Sequence, residues 1–399
     1  MKGFHIATPE QIKAGAVTDV YFQRTAAILD AKGVDAHVRA EFIAKSFYDG
    51  WEWAVFAGLA EVNHLLDGID VNVRAMEEGE IFRPLEPVIE IEGSYREFGV
   101  YETAVLGLIC QASGIATRAA RCRLAAGSER KLISFGARRM HPAIAPMIER
   151  AAYLGGCDGV AVVASAELLG TEPVGTIPHT LVLLMGDTIR ATQAFDEVID
   201  KKIPRISLID TFNDEKFAAL EVAKALGSRL TALRLDTPSS RRGDFFEILS
   251  EVRWELDLRG YSDIGLFVSG GIDEETIRQL NPVVSGYGVG TWISAAPIVD
   301  FSMDIVEIDG EPLAKRGKRS GAKQVLRCSG CHEDDIVPLQ KTEEWPERCP
   351  DCGSAVRPLI APQMQGGQPV GPQPQPSEIR ARTLQRLVGF AIDWEGELP

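Results

Sequence analysis

Positive charge is scarce in this sequence: 42 lysines and arginines face 57 aspartates and glutamates, for a net charge of −15. Such a broadly negative field excludes a generic nucleic-acid coat or an anionic-membrane binder and leaves room only for a local basic patch. No run reaches the ~18 apolar residues that a membrane span needs. Met1 to Gln11 lacks the apolar core of an export signal. Together these absences predict a cytoplasmic protein with no membrane partner. No internal repeat stands out beyond alternating strand and helix. Cysteines number only seven, and Cys110, Cys122 and Cys157 are isolated in apolar surroundings, as packed thiols in a reducing compartment are. What remains is an ordinary globular composition, 45% hydrophobic over 399 residues, enough for two or three domains.

From Asp35 to Leu66 the positions Phe42, Trp53, Phe56, Leu59 and Leu65 recur at roughly helical spacing, with a break at Asp49-Gly50, and predict two helices. Pro84, Pro87 and the run Val88-Ile89-Glu90-Ile91 predict short antiparallel strands within Glu80 to Val100, and Tyr101 to Ala120 reads as an apolar helix. Between Lys131 and Thr291, β-branched runs alternate with helical segments. The runs are Lys131 to Phe135, Gly159 to Val163, Thr180 to Leu184, Arg205 to Ile209, Ala232 to Leu235, Gly265 to Val268 and Pro282 to Val284. Seven such strands predict an incomplete or irregular α/β barrel, a doubly wound open sheet being the alternative. Phe301 to Ile308 then alternates as a strand and Asp309-Gly310 turns. Pro362 to Pro376 reads as extended linker, and Ser377-Glu378 caps a last helix through about Val388.

Four cysteines cluster. Cys328-Ser-Gly-Cys331 and Cys349-Pro-Asp-Cys352 are two C-x-x-C pairs 17 residues apart, a spacing that sets four thiolates around one zinc ion. A site closed by four sulfurs has no open position for substrate, so zinc here is expected to be structural. The C-x-x-C-H pattern ending at His332 also fits haem attachment, against which the second pair counts. The basic residues Lys315, Arg316, Lys318, Arg319 and Lys323 lie just upstream and read as a solvated or phosphate-facing strand.

The ends of the barrel strands carry chemistry where a plain core would stay apolar, and active sites of such barrels form there. Phe135-Gly-Ala-Arg138-Arg139-Met-His141 brings two forked guanidinium groups and a histidine, suited to a planar carboxylate and phosphates. Ser269-Gly270-Gly271-Ile272-Asp273 and Gly288-Val-Gly290-Thr291 offer bare backbone that can point N–H groups at a phosphate. Asp210 and Asp236 follow apolar strands and suit ribose hydroxyls or hydrated magnesium, or else cap the next helices.

Taken together, these residues resemble the nicotinate phosphoribosyltransferases, most of all archaeal-type members with an appended cysteine-rich knuckle. Thr18-Asp19-Val-Tyr21 is similar to the family's T-D-x-Y, whose tyrosine stacks on the pyridine ring from a neighbouring subunit. Phe135-Gly-x-Arg138-Arg139 resembles its F-G-x-R-R segment, and Gly175-Thr-Ile-Pro-His179 the G-T-x-x-H loop whose histidine ATP phosphorylates. Asp210-Thr211, Arg234 with Asp236, Ser269-Gly-Gly and Gly288 to Thr291 fall in order where the family binds ribose, pyrophosphate and 5′-phosphate.

The resemblance implies transfer of phosphoribose from phosphoribosyl pyrophosphate, with magnesium, to nicotinate in NAD biosynthesis. Coupling to ATP is also implied, with no nucleic-acid partner and with active sites shared in a homodimer or ring of dimers. His179, Arg138 and Asp236 become the candidate catalytic residues. The implied fold is an α+β open-faced sandwich over residues 1–116, an irregular (β/α) barrel of type II phosphoribosyltransferases over 117–292, and a C-terminal part over 293–399. That last part holds return strands of the sandwich, the zinc knuckle at about 325–356, the linker and the terminal helix. Met-His-Pro after Arg139 and Pro178 before His179 depart from the family pattern. The alternatives are a quinolinate phosphoribosyltransferase and, in another class, a zinc-ribbon nucleic-acid-binding protein on an inactive barrel.

Overall fold

The computed structural model describes residues 3–48, 50–237, 240 and 243–390, so Asp49 of the expected Asp49-Gly50 break lies outside the described residues. The described residues form two compact units, one from those up to Thr117 together with Pro297 to Phe390, the other from Arg118 to Ala296.

The first unit is built on a seven-stranded antiparallel sheet. Its order is Glu311–Pro312, Phe301–Ile308, His37–Ala44, Pro87–Ser94, Val71–Met76, Ile360–Gln365 and Gln368–Pro369. His37–Ala44 is a central strand and not a helix, pairing Phe42 with Met303 on one side and with Ile89 on the other. From Ala40 on it is buried throughout. A strand covered on both faces has no alternation to read, and its apolar residues at irregular spacing imitate a helix. Of the expected helices in this stretch only Leu59–Leu66 forms. The Pro362 to Pro376 stretch likewise begins as strand and hairpin, because Ile360–Gln365 finds an edge to pair with in Val71–Met76. The last helix runs Pro376–Leu387 and is capped by Gln375 with Glu378.

Phe42, Phe56 and Phe82 are wholly excluded from solvent, each worth roughly 2–3 kcal/mol of transfer free energy, and Phe82 stacks on Phe301 with ring centroids 5.5 Å apart. Val105 and Ile109 of the helix Glu102–Ala126 join this core. By length and composition one helix, Tyr95–Ala126, could cross a membrane, an exception to the expectation above. Half of its apolar window is buried in the protein, as in a core helix.

Three of the five basic residues between Lys315 and Lys323 are ion-paired within this unit. Lys315 and Lys318 contact Asp304, and Lys323 Nζ lies 2.7 Å from Glu41 Oε2. Asp304 and Glu41 are buried, so these three lysines offset internal carboxylates, while Lys315, Arg316 and Arg319 keep the solvent exposure of the solvated alternative. Downstream, Lys323–Cys328, Asp334–Pro338 and Val356–Pro358 form the small antiparallel sheet of the cysteine module.

The second unit is a six-stranded parallel sheet with helices between its strands. Its order is Gly159–Val160, Lys131–Ser134, Gly286–Val289, Gly265–Ser269, Leu230–Leu235 and Arg205–Leu208. Two expected strands differ. Thr180 to Leu184 lies in the helix His179–Met185, ended by Gly186 at φ +75°, since a five-residue apolar run suits either form and a left-handed glycine closes a helix. Pro282 to Val284 is a turn, and the strand follows at Gly286–Val289. Asp214, Asp244 and Asp273 cap helices through side-chain bonds to Lys216, Phe246 and Thr276 N–H.

Candidate active site

In a parallel sheet the register decides which strand ends meet. Ser134 lies opposite Val289, Ser269 opposite Gly288, Val268 opposite Leu235 and Leu208 opposite Arg234. Phe135, Gly290, Gly270, Asp236 and Asp210 therefore leave the sheet along one edge.

Arg234 is the hub of that edge. Its Nη1 donates to Thr176 Oγ1 at 2.6 Å, its Nε to Ser269 Oγ at 3.0 Å and its Nη2 to Asp236 Oδ2 at 3.0 Å. Ser269 Oγ in turn donates to Asp236 Oδ1 at 2.8 Å. Burial pushes the Arg234 pKa down and Arg138 adds to this, while Asp236 and Asp210 oppose it. The group stays cationic, because even a depressed guanidinium holds its proton, and it has more N–H donors than these three bonds use.

Beyond Arg234, Asp210 Oδ2 accepts the Asp236 backbone N–H at 2.7 Å and the Thr237 hydroxyl at 2.8 Å. Thr237 also meets Glu215 Oε1 at 3.2 Å. The other carboxylate oxygen, Asp210 Oδ1, is buried and has no hydrogen-bond partner. Asp210 is thus not the helix cap its position allowed; Asp214 does that work. His179 Nδ1 bonds Thr211 Oγ1 at 3.0 Å, which leaves Nε2 3.8 Å from Asp210 Oδ1 and 4.0 Å from Asp236 Oδ2. Those gaps exceed hydrogen-bond length but keep an imidazolium within ion-pair range.

Phe135 forms an aromatic wall. Its ring centroid lies 5.4 Å from the Arg234 guanidinium and 6.1 Å from that of Phe267. A Cβ on Gly288 would stand 2.3 Å from the Phe135 ring, so that glycine is buried under the aromatic group. Gly270 and Gly271 adopt φ of +87° and +68°, a consecutive left-handed pair that a side chain would strain. Gly290 is half-buried and Thr291 exposed at the neighbouring strand end.

Arg138 and Arg139 are exposed on the turn Ala137–Arg139 that follows Phe135. His141 Nδ1 accepts the Ala143 N–H at 3.1 Å, a capping role that occupies one ring nitrogen. Tyr21 belongs to the other unit, exposed on the helix Val20–Lys32, and is not among the residues this edge assembles. Thr176, Thr237, Glu215 and Phe267 were not singled out from sequence. Thr176 lay inside the quoted Gly175-to-His179 motif and Thr237 directly follows Asp236, whereas nothing in the chain marked Glu215 or Phe267.

In the cysteine module, Cys328 Sγ lies 3.3 Å from Cys352 Sγ and Cys331 Sγ 3.6 Å from Cys349 Sγ, and all four sulfurs fall within 4.8 Å of one another. Sulfurs at ~2.3 Å from one tetrahedral ion would be about 3.8 Å apart. The N–H groups of Gly330 and Cys331 point at Cys328 Sγ from 3.3 and 3.4 Å, as donors that steady a thiolate do. These four residues can hold one metal ion.

A parallel half-barrel sheet whose carboxyl edge carries this cluster, with an antiparallel sheet in the other unit, is the architecture of a type II phosphoribosyltransferase. Residues 19–113 match the family model for the quinolinate phosphoribosyl transferase N-terminal domain, and residues 115–304 that for its C-terminal domain. The chain belongs to the nicotinate phosphoribosyltransferase family. It is 33% identical over 310 residues to nicotinate phosphoribosyltransferase pncB1 of Mycobacterium tuberculosis, covering 73% of this chain and 66% of that protein. With pncB2 of the same organism it shares 30% over 340 residues, covering 80% of this chain and 72% of that protein. It thus spans about two thirds of these relatives' length. A crystal structure described as nicotinate-nucleotide pyrophosphorylase from Pyrococcus furiosus matches with TM-score 0.95 and 52% identity, over 98% of this chain and 100% of that one.

Proposed function

We propose that the chain joins nicotinate to phosphoribosyl pyrophosphate, giving nicotinate mononucleotide and pyrophosphate. The observation that carries this reading is the half-buried Arg234, tied to Ser269, Asp236 and Thr176 beside the Phe135 ring, next to a left-handed glycine pair. That is an aromatic-walled strand edge with a guanidinium for a flat acid, adjoining backbone suited to phosphate.

The pyridine nitrogen carries its own lone pair, so it attacks the anomeric carbon as the bond to pyrophosphate breaks, and the bonding electrons leave with pyrophosphate. No base is needed. Catalysis then rests on alignment and on charge around the leaving group. Arg234 and Arg138 are assigned to the nicotinate carboxylate and the phosphates, and Asp236 to the ribose hydroxyls. The buried, unbonded Asp210 Oδ1 fits hydrated magnesium, whose bound ion would neutralise pyrophosphate. ATP coupling is assigned to His179, with Thr211 holding Nδ1 so that Nε2 receives the γ-phosphoryl group as ADP departs.

The four cysteines are assigned a structural zinc ion. Exposed Tyr21 is assigned to a neighbouring subunit's base site in a homo-oligomer. The thiols Cys110 and Cys122, which form no disulfide, suit the cytoplasm.

The quinolinate reading is favoured by the two domain models. It is separated by incubating protein, phosphoribosyl pyrophosphate and magnesium with nicotinate, nicotinamide or quinolinate, with and without ATP, and recording pyrophosphate and carbon dioxide. Pyrophosphate with nicotinate is expected. Carbon dioxide from quinolinate, with no turnover of nicotinate, would overturn the proposal.

A further inference from the structure

We infer that Arg118, on the helix Glu102–Ala126, is a positioning residue that holds the two glycine-bearing loops of the phosphate side in register with each other. The inference rests on the phosphoribosyl-transfer reading and deepens it by naming what fixes those loops.

Neither loop carries bulk of its own. Gly270 and Gly271 are left-handed, and nothing lies within 4 Å of a Cβ built at Gly271 or Gly290. Backbone so bare loses much conformational entropy when it is ordered, so its shape has to be imposed from outside.

Arg118 touches the residues just beyond both loops. Its guanidinium lies 4.1 Å from the ring centroid of Trp292, which follows Thr291 directly. Its Nη1 lies 3.5 Å from Oε2 of Glu274, the first residue of the helix after Gly270-Gly271-Ile272-Asp273. One rigid, planar cation thus ties the end of the Gly265–Ser269 strand to the end of the Gly286–Val289 strand. Arg121 Nε reinforces the same carboxylate at 3.3 Å from Oε1.

Burial makes the arrangement strong. Arg118 is 5% exposed and Glu274 8%, so solvent screens their ion pair little, while Trp292, 38% exposed, covers the guanidinium from the solvent side. Lysine has the charge of Arg118 but not its flat face, and methionine has similar reach with neither.

The test is steady-state kinetics of Arg118→Met, Arg118→Lys and Trp292→Leu in the full-length protein, with melting temperature followed alongside. Arg118→Met is expected to raise KM for phosphoribosyl pyrophosphate about 10–30-fold, with KM for nicotinate within about 2-fold. Arg118→Lys should recover part of that loss, and Trp292→Leu should raise the same KM about 5-fold while leaving the ion pair in place.

A bracket that only stabilises the fold would lower the melting temperature and weaken both substrates alike, and that pattern would overturn the inference. So would an unchanged phosphoribosyl pyrophosphate KM in Arg118→Met. Calorimetric titration of wild type and Arg118→Met with ribose 5-phosphate reads the same loops without turnover. If wild type turns over no nicotinate, the functional reading falls. Weaker ribose 5-phosphate binding by the variant would still uphold the bracket, and equal binding would remove it.

Discussion

Charge is handled in opposite ways in the antiparallel unit and at the carboxyl edge of the parallel sheet. In the first, buried Glu80 takes Arg327 and Arg357 at 2.9 Å each and Arg386 at 3.2 Å, joining the cysteine module and the last helix to the turn before Ile81–Phe82. Asp304 and Glu41 are likewise matched to lysines. At the sheet edge, Asp210 Oδ1 has no hydrogen bond and His179 Nε2 stands off at 3.8 Å. Arg234 meanwhile has donors in reserve. Matched charge holds a fold together. Mismatched charge in a half-buried cleft is unfavourable until a ligand completes it, which is the mark of a binding site.

That contrast can be attacked at several points. The largest expected effect is on the cysteine module: stripping the proposed zinc with a strong chelator should melt the Lys323–Pro358 region, since metal binding contributes about 10 kcal/mol or more to such knuckles. Calorimetry with metal content measured in parallel checks this, and an unchanged melting curve at complete metal loss would contradict it. Glu80→Gln should cost about 3–5 kcal/mol in denaturant titration, because it weakens the shared partner of three partly buried arginines. At the other pole, Arg234→Ala should lower kcat/KM for nicotinate ~100–1,000-fold while costing only about 1–3 kcal/mol of stability for the polar groups left behind. Equal damage to stability and activity would erase the distinction between the two regions.

A smaller effect should appear with pH. Burial, and then the charge of Asp334, push the Glu86 carboxyl up to about 8 from its ordinary 4.5. A group that binds its proton more tightly in the folded state contributes stability that is full below the unfolded pKa and lost as pH rises towards the folded one. Melting temperature should therefore fall between about pH 5 and 8, by the equivalent of about 2–4 kcal/mol, and Glu86→Gln should flatten that slope.

The strand-end chemistry was legible in the sequence because it breaks a pattern. Asp210, Asp236 and the glycine pairs interrupt apolar runs, and the register then brings their strand ends to one edge. The cysteine spacing was legible for a similar reason, since few other arrangements use it. His37–Ala44 and Gly286–Val289 were not. One is buried on both faces, and the other has two glycines that break up its strand formers Tyr287 and Val289, becoming a strand because Phe267 and Phe135 fill the space above its bare backbone. Arg118 and Glu274 were hidden in another way, being far apart in sequence and joined only by packing.

The first unit also sets an order of assembly. His37–Ala44 needs Phe301–Ile308 on one flank, and Val71–Met76 needs Ile360–Gln365, so segments made early must wait for segments made late. On the ribosome the parallel sheet can close while that antiparallel sheet still has open edges. The nascent protein should therefore depend on a chaperone until its final strands emerge.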